Sequence, residues 1–186
     1  VAGTTTQSGV AIKYGHDQRG FVRTIQDPVA TATVSRDAGG RPLDLEFGNG
    51  AALSKGFDSV GRISRTAYAD ASATTLASID YGFDAAGRAA SAEEAGGRIT
   101  AYSYDALGRL TREYTYGPMG DTEIEFAYDG DGNLISRIEN GDAEAFEVGA
   151  NDVVLSDGTA TYAWDVNGNL RSRRSGDTVE TFERDA

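Results

Sequence analysis

The fold is decided by residues 102–117, YSYDALGRLTREYTYG, because one phrase within them recurs along the whole chain. This phrase is a six-residue sequence motif that consists of an aromatic residue, an aspartate, two variable residues, a glycine and an arginine or asparagine. Seven aspartates are followed by a glycine three residues later, at intervals of 20, 21, 26, 21, 24 and 36 residues. A regular period of this length is typical of repeat proteins. The pairs are Asp17 and Gly20, Asp37 and Gly40, Asp58 and Gly61, Asp84 and Gly87, Asp105 and Gly108, Asp129 and Gly132, and Asp165 and Gly168.

Each copy of the phrase is predicted to be a β-hairpin. Aspartate at the first position and glycine at the fourth favour a type I turn. On both sides of the turn the side chains alternate with the period of two that is typical of strands. Ile79, Tyr81 and Phe83 share one face before a turn, for example. The two stretches with the most helical character are Ala-rich, at residues 69–77 and 89–95.

The aromatic residues before the aspartates are predicted to stack on neighbouring copies. A single two-stranded hairpin is marginal in water, whereas stacked copies bury their apolar faces against each other. Each buried ring contributes roughly 1.5–3 kcal/mol. The arginine after each glycine is expected to pair with a neighbouring carboxylate or to stack on a ring. The predicted stacking aromatics are Phe57, Phe83, Tyr104, Tyr128 and Trp164, and the two earliest copies carry His16 and Arg36 in this place.

The predicted architecture is all-β, with antiparallel β-hairpin repeats stacked into a curved β-sheet solenoid. Residues 1–186 are predicted to be a single array of about seven to eight repeats, with one degenerate copy around residues 140–158. A long insertion is the alternative explanation of that last interval. Because the chain begins with Val1 rather than Met, we expect it to be a fragment of a longer repeat protein.

Composition limits the classes of partner. The chain has 29 acidic and 17 basic residues, for a formal net charge of −12. Such a charge opposes binding to nucleic acid and to anionic membranes, and no stretch is apolar enough for membrane insertion. The chain has no cysteine, so disulfides, thiol nucleophiles and zinc–thiolate sites are excluded. The expected partners are flanking repeats of the same or identical chains.

The segment Tyr104–Leu110, YDALGRL, resembles the YD repeat of the RHS family. This family includes bacterial rearrangement-hotspot toxins, wall-associated proteins, the C subunits of insecticidal toxin complexes and the animal teneurins. The similarity extends from about residue 14 to the end of the chain, with departures at Phe21, Pro42 and Ala89. The resemblance implies a β-sheet ribbon that forms a shell around a hollow interior. It also implies a bacterial protein that is secreted or displayed at the cell surface.

Several residue patterns in the chain are partly typical of metal binding or catalysis. Asp129–Asn133 and Asp165–Asn169 resemble the start of a calcium loop, but a glycine at position six and a glutamate at position twelve are missing. His16 lacks a nucleophile motif nearby, and the acidic pairs Glu93/Glu94 and Glu123/Glu125 are expected on solvated strand faces. We therefore predict that the chain is not an enzyme and has no catalytic residue, no cofactor and no metal. Carbohydrate binding by the aromatic residues remains an alternative to their packing role.

The resemblance predicts the function. We expect a non-catalytic scaffold, a segment of an RHS-type β-shell that encapsulates or presents a polymorphic toxin domain lying C-terminal to it. The alternative is an extracellular adhesion or filament-forming protein that assembles through open strand edges. The proline-rich D-P-x-G-L junction at which RHS toxins cleave themselves is not found, since Asp27 and Pro28 are followed by Val29 and Ala30.

Overall fold

The computed structural model describes residues 2–5 and 11–183, and β-strands form nearly all of the regular structure in them. The exception in these residues is a 3₁₀ turn, Ala150–Asp152. The chain divides into two compact units, Val1–Thr100 and Ala101–Ala186. The prediction of an all-β fold of antiparallel hairpins is confirmed.

The first unit is an antiparallel meander in which each strand is hydrogen-bonded to the next strand along the chain. Short connections favour this arrangement, because a tight turn can join only antiparallel neighbours. The strands are β1 (Ala2–Thr5), β2 (Ala11–His16), β3 (Val22–Gln26), β4 (Thr31–Arg36), β5 (Pro42–Phe47), β6 (Ala52–Phe57), β7 (Ile63–Ala69), β8 (Thr75–Phe83) and β9 (Ala89–Glu94). Strand β10 (Ile99–Tyr104) spans the boundary between the units.

The two Ala-rich stretches are not helical, so the prediction of helical character there is wrong. Residues 69–77 contain the end of β7, a turn and the start of β8, and residues 89–95 contain the whole of β9. The helix propensity of alanine is worth less than 1 kcal/mol per residue, and a helix of seven to nine residues is marginal in water. Cross-strand pairing outweighs it here, since Ala92 pairs with Tyr81 and Ala77 with Tyr68.

The second unit contains two antiparallel sheets, each with its strands in sequence order. The backbone N–H of Phe146, between the sheets, donates to the carbonyl of Ile135 at 2.9 Å. The second sheet therefore begins next to the first one. The first sheet includes β11 (Leu110–Tyr116), β12 (Thr122–Tyr128), β13 (Leu134–Glu139) and β14 (Asp142–Ala145), and the second consists of β15 (Glu147–Val148), β16 (Val154–Ser156), β17 (Thr161–Trp164), β18 (Leu170–Ser175) and β19 (Thr178–Thr181).

Cross-strand rows give the sheet of the first unit one apolar face. Paired residues share a face, and one row of partners runs Val34, Leu45, Leu53, Tyr68 and Ala77. The neighbouring row on the opposite face is small and polar, with Thr24, Thr33, Glu46, Ala52 and Ala69.

Neither face is covered by a second layer. Among the described residues, the buried hydrophobic side chains are only the alanines at positions 51, 67 and 160, and no large side chain is fully buried. Phe47 and Tyr68 of the apolar face are 38% and 39% exposed. The stability of each strand pair must therefore come from contacts with the next pair along the sheet.

Candidate functional site: the turn ladder

The turn ladder is the series of five-residue turns that begin at the seven predicted aspartates. In the turn from Asp105 to Arg109, the N–H of Asp105 donates to the carbonyl of Arg109, and the N–H of Gly108 donates to the carbonyl of Asp105, both at 3.0 Å. Gly108 has a φ of 84°, a left-handed conformation that is nearly free of strain only for glycine. This is a type I turn followed by a bulge residue, a common way of closing a three-residue hairpin loop.

All seven turns have this backbone geometry. The two hydrogen bonds recur in each of them at 2.9–3.3 Å, and the seven glycines have φ between 77° and 98°. Successive turns of a meander alternate between the two ends of the strands. The turns that begin at residues 17, 37, 58 and 84 therefore lie at the same end of the sheet in the first unit.

Each aspartate side chain holds its turn together. Oδ1 of Asp105 accepts the backbone N–H groups of Leu107 and Arg109, both at 2.9 Å. Oδ2 accepts Nε of Arg109 at 2.6 Å. The hydrogen bonds from the backbone and then the side chain of Arg109 hold the pKa of Asp105 below its usual range. The carboxylate is therefore ionised near neutral pH and has both oxygens engaged, which leaves it poorly suited to general acid–base chemistry.

Four arginines make this ion pair, and three of them are also seen to stack on the ring of the next copy. Their Nε atoms lie 2.6–2.7 Å from the aspartates of their own turns, in the pairs Arg41–Asp37, Arg62–Asp58, Arg88–Asp84 and Arg109–Asp105. The guanidinium carbon lies 4.5 Å from the ring centre of Phe57 for Arg41, 4.1 Å from that of Phe83 for Arg62, and 4.8 Å from that of Tyr128 for Arg109. A planar guanidinium can bind a carboxylate with its edge and a ring with its face. The expectation of carboxylate pairing or ring stacking is confirmed, with both contacts made by one side chain.

The last two copies use asparagine in place of arginine. The Nδ2 groups of Asn133 and Asn169 donate to Oδ2 of Asp129 and Asp165, at 3.1 and 3.0 Å. Asn133 also donates to Oδ1 of Asp152 at 3.0 Å. Asp152 lies in a turn where the N–H of Gly149 donates to the carbonyl of Val153 at 2.8 Å. A hairpin turn without the aspartate–glycine pair thus lies beside the sixth copy, within the region predicted to contain a degenerate copy.

The five predicted stacking aromatics end their strands half-buried, directly before the aspartates. Two of them also donate hydrogen bonds to a different strand. The hydroxyl of Tyr128 donates to the carbonyl of Leu110 at 2.8 Å, and Nε1 of Trp164 donates to the carbonyl of Val154 at 2.7 Å. These rings therefore link successive hairpins by a polar contact as well as by packing.

Comparison with known proteins agrees with this geometry. Residues 83–118 match the family described as RHS Repeat. This match covers about a fifth of the chain. The matched residues contain two complete turns of the ladder, which begin at Asp84 and Asp105. No curated protein sequence matches the chain.

Solved structures show the same fold. A Photorhabdus luminescens Tc holotoxin pore is 15% identical, with a TM-score of 0.72 over 98% of this chain and 11% of that chain. A TcdB2–TccC3–TEV structure is 14% identical, with a TM-score of 0.71 over 97% of this chain and 12% of that chain. A TcdB2–TccC3–Cdc42 structure has a TM-score of 0.59, 14% identity and coverage of 95% and 12%. The chain is thus a structural repeat segment that spans only a small part of these proteins.

The ring–cation contact of the turn ladder is inverted between the first two copies. Phe21 occupies the place of the arginine in the first copy, and Arg36 occupies the place of the aromatic residue in the second. The guanidinium carbon of Arg36 lies 5.1 Å from the ring centre of Phe21. Each substitution alone departs from the repeat pattern, but together they keep a contact between a ring and the arginine of the neighbouring copy at this step of the ladder.

Exchanging these two residues should restore the usual order at little cost. Phe21→Arg alone brings a third cation beside Arg19 and Arg36. Arg36→Phe alone leaves Arg19 as the one remaining cation of the two that lie beside the ring of Phe21. We expect the double variant to unfold at a higher urea concentration than either single variant, with a coupling energy of about 0.5–1 kcal/mol. Urea unfolding of the four proteins measures this coupling. If the losses of unfolding free energy in the two single variants simply add in the double variant, Phe21 and Arg36 make no specific contact.

Sequence reasoning missed turns of the same geometry at the opposite end of the strands. The N–H groups of Phe47, Asp70 and Glu94 donate to the carbonyls of residues 51, 74 and 98, at 2.8–3.0 Å. Glu94 also pairs with Arg98 at 2.9 Å, and Gly97 has a φ of 80°. The stretch EAGGR at 94–98 therefore repeats the phrase with glutamate in place of aspartate. A search that allowed this replacement would have found it.

The other candidate chemistries are not assembled in the structure. Oδ1 of Asp129 accepts the backbone N–H groups of Asp131 and Asn133, at 3.0 and 2.8 Å. Within residues 2–5 and 11–183, no cluster of three or more metal-binding side chains is found. Glu123 forms an ion pair with Arg112, while Glu125 lies opposite Ile138. Glu93 and Glu94 are adjacent on one strand and point to opposite faces.

His16 ends β2 opposite Val22, in the ring position of the first copy. Catalysis by a histidine needs a nucleophile or substrate group within hydrogen-bond reach.

The described part of the chain contains no helix with the length and apolar character needed to cross a membrane.

Proposed function

We propose that this chain is a non-catalytic segment of a larger shell of RHS repeats that encapsulates or presents a toxin domain. The observation that carries the proposal is the single-layer sheet of the first unit, whose apolar face has no covering layer. Such a sheet depends on neighbouring repeats for its stability and leaves its apolar face available for another chain segment. The fold similarity to part of a Tc holotoxin pore supports the same role.

A passive role is also supported by the state of the turn carboxylates. In the copies from Asp37 to Asp105, one oxygen is bound by backbone N–H groups and the other by an arginine. Each carboxylate therefore has both oxygens bonded within its own turn, and each belongs to a different turn. The partners proposed for the chain are accordingly flanking repeats and a cargo domain. We also propose that the protein is secreted or displayed at the cell surface, and this part of the proposal rests on the family resemblance alone.

Residue-specific photo-crosslinking in the intact parent protein would test the proposal. Tyr68→p-benzoylphenylalanine places the crosslinker on the apolar face, and Glu93→p-benzoylphenylalanine places it on the opposite face of the same sheet. We expect crosslinks from position 68 to a region outside the repeats, and none to that region from position 93. Equal crosslinking from both positions, or none from position 68, would contradict enclosure of a cargo by the apolar face.

Filament formation is the alternative outcome, and electron microscopy of the purified chain distinguishes it. Strand β14 has four exposed residues, and two of these are the acidic Asp142 and Glu144. Charged side chains on an exposed strand discourage edge-to-edge pairing. We therefore expect discrete particles. Long regular fibres would favour the adhesion or filament role instead.

A further inference from the structure

A surface pocket of about 410 Å³ lies between the first two turns of the ladder. Three arginines line it, Arg19, Arg23 and Arg36. The aspartates that also line it belong to the ladder, and Asp37 is already paired with Arg41 at 2.6 Å. The lining therefore carries more positive than negative charge, in a chain whose net charge is −12.

None of the three arginines has a carboxylate partner among the described residues. Elsewhere in the ladder, Arg41, Arg62, Arg88 and Arg109 are each paired with an aspartate. The first turn has no such pair, because Phe21 occupies the position of the arginine that would pair with Asp17. As in the other turns, Oδ1 of Asp17 accepts backbone N–H groups, here those of Arg19 and Phe21, both at 2.9 Å.

Two of the guanidinium groups are held in place by neutral contacts. Both Arg19 and Arg36 pack against the ring of Phe21, with guanidinium carbons 5.2 and 5.1 Å from its centre. Nη1 of Arg19 donates to the carbonyl of Ala38 at 2.9 Å, and Nη1 of Arg36 donates to the carbonyl of Gly40 at 3.0 Å. These contacts orient the cations without neutralising them.

Arg36 is also incompletely bonded. Its Nη2 donates to the carbonyl of Val22 at a long 3.3 Å. Its Nε is buried and has no acceptor among the described residues. A buried donor without an acceptor is unfavourable, more so when the group is charged. An anion in the pocket would offset the repulsion between the cations.

We propose that this pocket binds a phosphate or sulfate group, either as the free ion or carried by a small organic molecule. Guanidinium groups bind such oxyanions with two parallel hydrogen bonds. The volume falls in the range of small-molecule sites, and Phe21, Val22 and Val34 supply an apolar wall for an organic substituent. The site does not depend on whether the chain forms part of a toxin shell.

Calorimetric titration of the chain with inorganic phosphate and with phenyl phosphate tests the proposal. The titrations are run at constant ionic strength in sodium chloride, because the negative charge of the chain makes the affinity dependent on salt. We expect saturable binding at one site. Tighter binding of phenyl phosphate identifies an organic phosphate as the preferred ligand, and equal binding identifies the free ion.

Two charge-removing variants provide the control. Arg23 is exposed and lines the pocket, whereas Arg174 is exposed on β18 and does not. Arg23→Gln should weaken binding about ten-fold, the loss expected for one charge-assisted contact, and Arg174→Gln should leave it unchanged. Circular dichroism verifies that both variants remain folded. Absence of saturable binding to the unsubstituted chain, or an equal loss in both variants, would overturn the proposal.

Discussion

Tyr128→Ala is expected to lower the free energy of unfolding of the chain by about 2 kcal/mol. Removal of a fully buried aromatic side chain costs roughly 3–5 kcal/mol, and the Tyr128 side chain is half-buried. The ring lies under the guanidinium of Arg109, and its hydroxyl donates to the carbonyl of Leu110. Both contacts join the sixth copy to the fifth, so their loss weakens the connection between hairpins.

Two further substitutions separate the contribution of the Tyr128 ring from that of its hydroxyl and provide an exposed control. Tyr128→Phe keeps the ring and removes the hydrogen bond, at an expected cost of about 1 kcal/mol. Leu107→Ala removes apolar atoms from a side chain that is 76% exposed in the fifth turn, and a change of less than about 0.5 kcal/mol is expected. Urea unfolding followed by circular dichroism compares the three. If Tyr128→Ala costs no more than Leu107→Ala, the ring does not stabilise the stack.

The turn ladder was predictable because its chemistry is local. Aspartate, glycine and arginine at fixed positions determine the hydrogen bonds of one turn, and those positions can be read directly from the sequence. The strand alternation around Phe83 and Tyr128 is equally local. Repetition then indicates which turns lie at the same end of a meander.

The contacts between copies were harder to predict because they join residues far apart in sequence. Arg62 stacks on Phe83, 21 residues later, and Arg36 stacks on Phe21, 15 residues earlier. Only the sheet order and register bring these groups together. Sequence reasoning gave the residue types, whereas the direction of each contact required the structure.

The Ala-rich stretches show the opposite error, in which a local preference was given too much weight. Alanine favours helix weakly and tolerates strands. In β9 the alanines lie opposite the larger Tyr81 and Phe83 of β8. A small residue there leaves room for the ring of its neighbour, so tertiary context accounts for alanine at these positions.

The sixth turn allows a direct test of how much its left-handed glycine contributes. Its sequence is Asp129, Gly130, Asp131, Gly132 and Asn133, so two glycines lie in one turn. A Cβ atom added at either glycine would meet nothing within 4 Å. Gly132 has a φ of 98°, whereas Gly130 lies outside the left-handed region. The two positions therefore differ in backbone conformation and share the absence of steric contact.

Gly132→Ala is expected to cost about 1–2 kcal/mol, the strain of an alanine in the left-handed conformation. Gly130→Ala should be neutral, or stabilising by about 0.4–1 kcal/mol, because it reduces the conformational entropy of the unfolded chain. Gly132→Asn should fall between them, since asparagine adopts the left-handed region more readily than alanine. The urea concentrations at the unfolding midpoints of the three variants give their order of stability. Equal effects of Gly130→Ala and Gly132→Ala would mean that the turn can change its conformation, and that the repeated glycine is not required by the backbone geometry of the ladder.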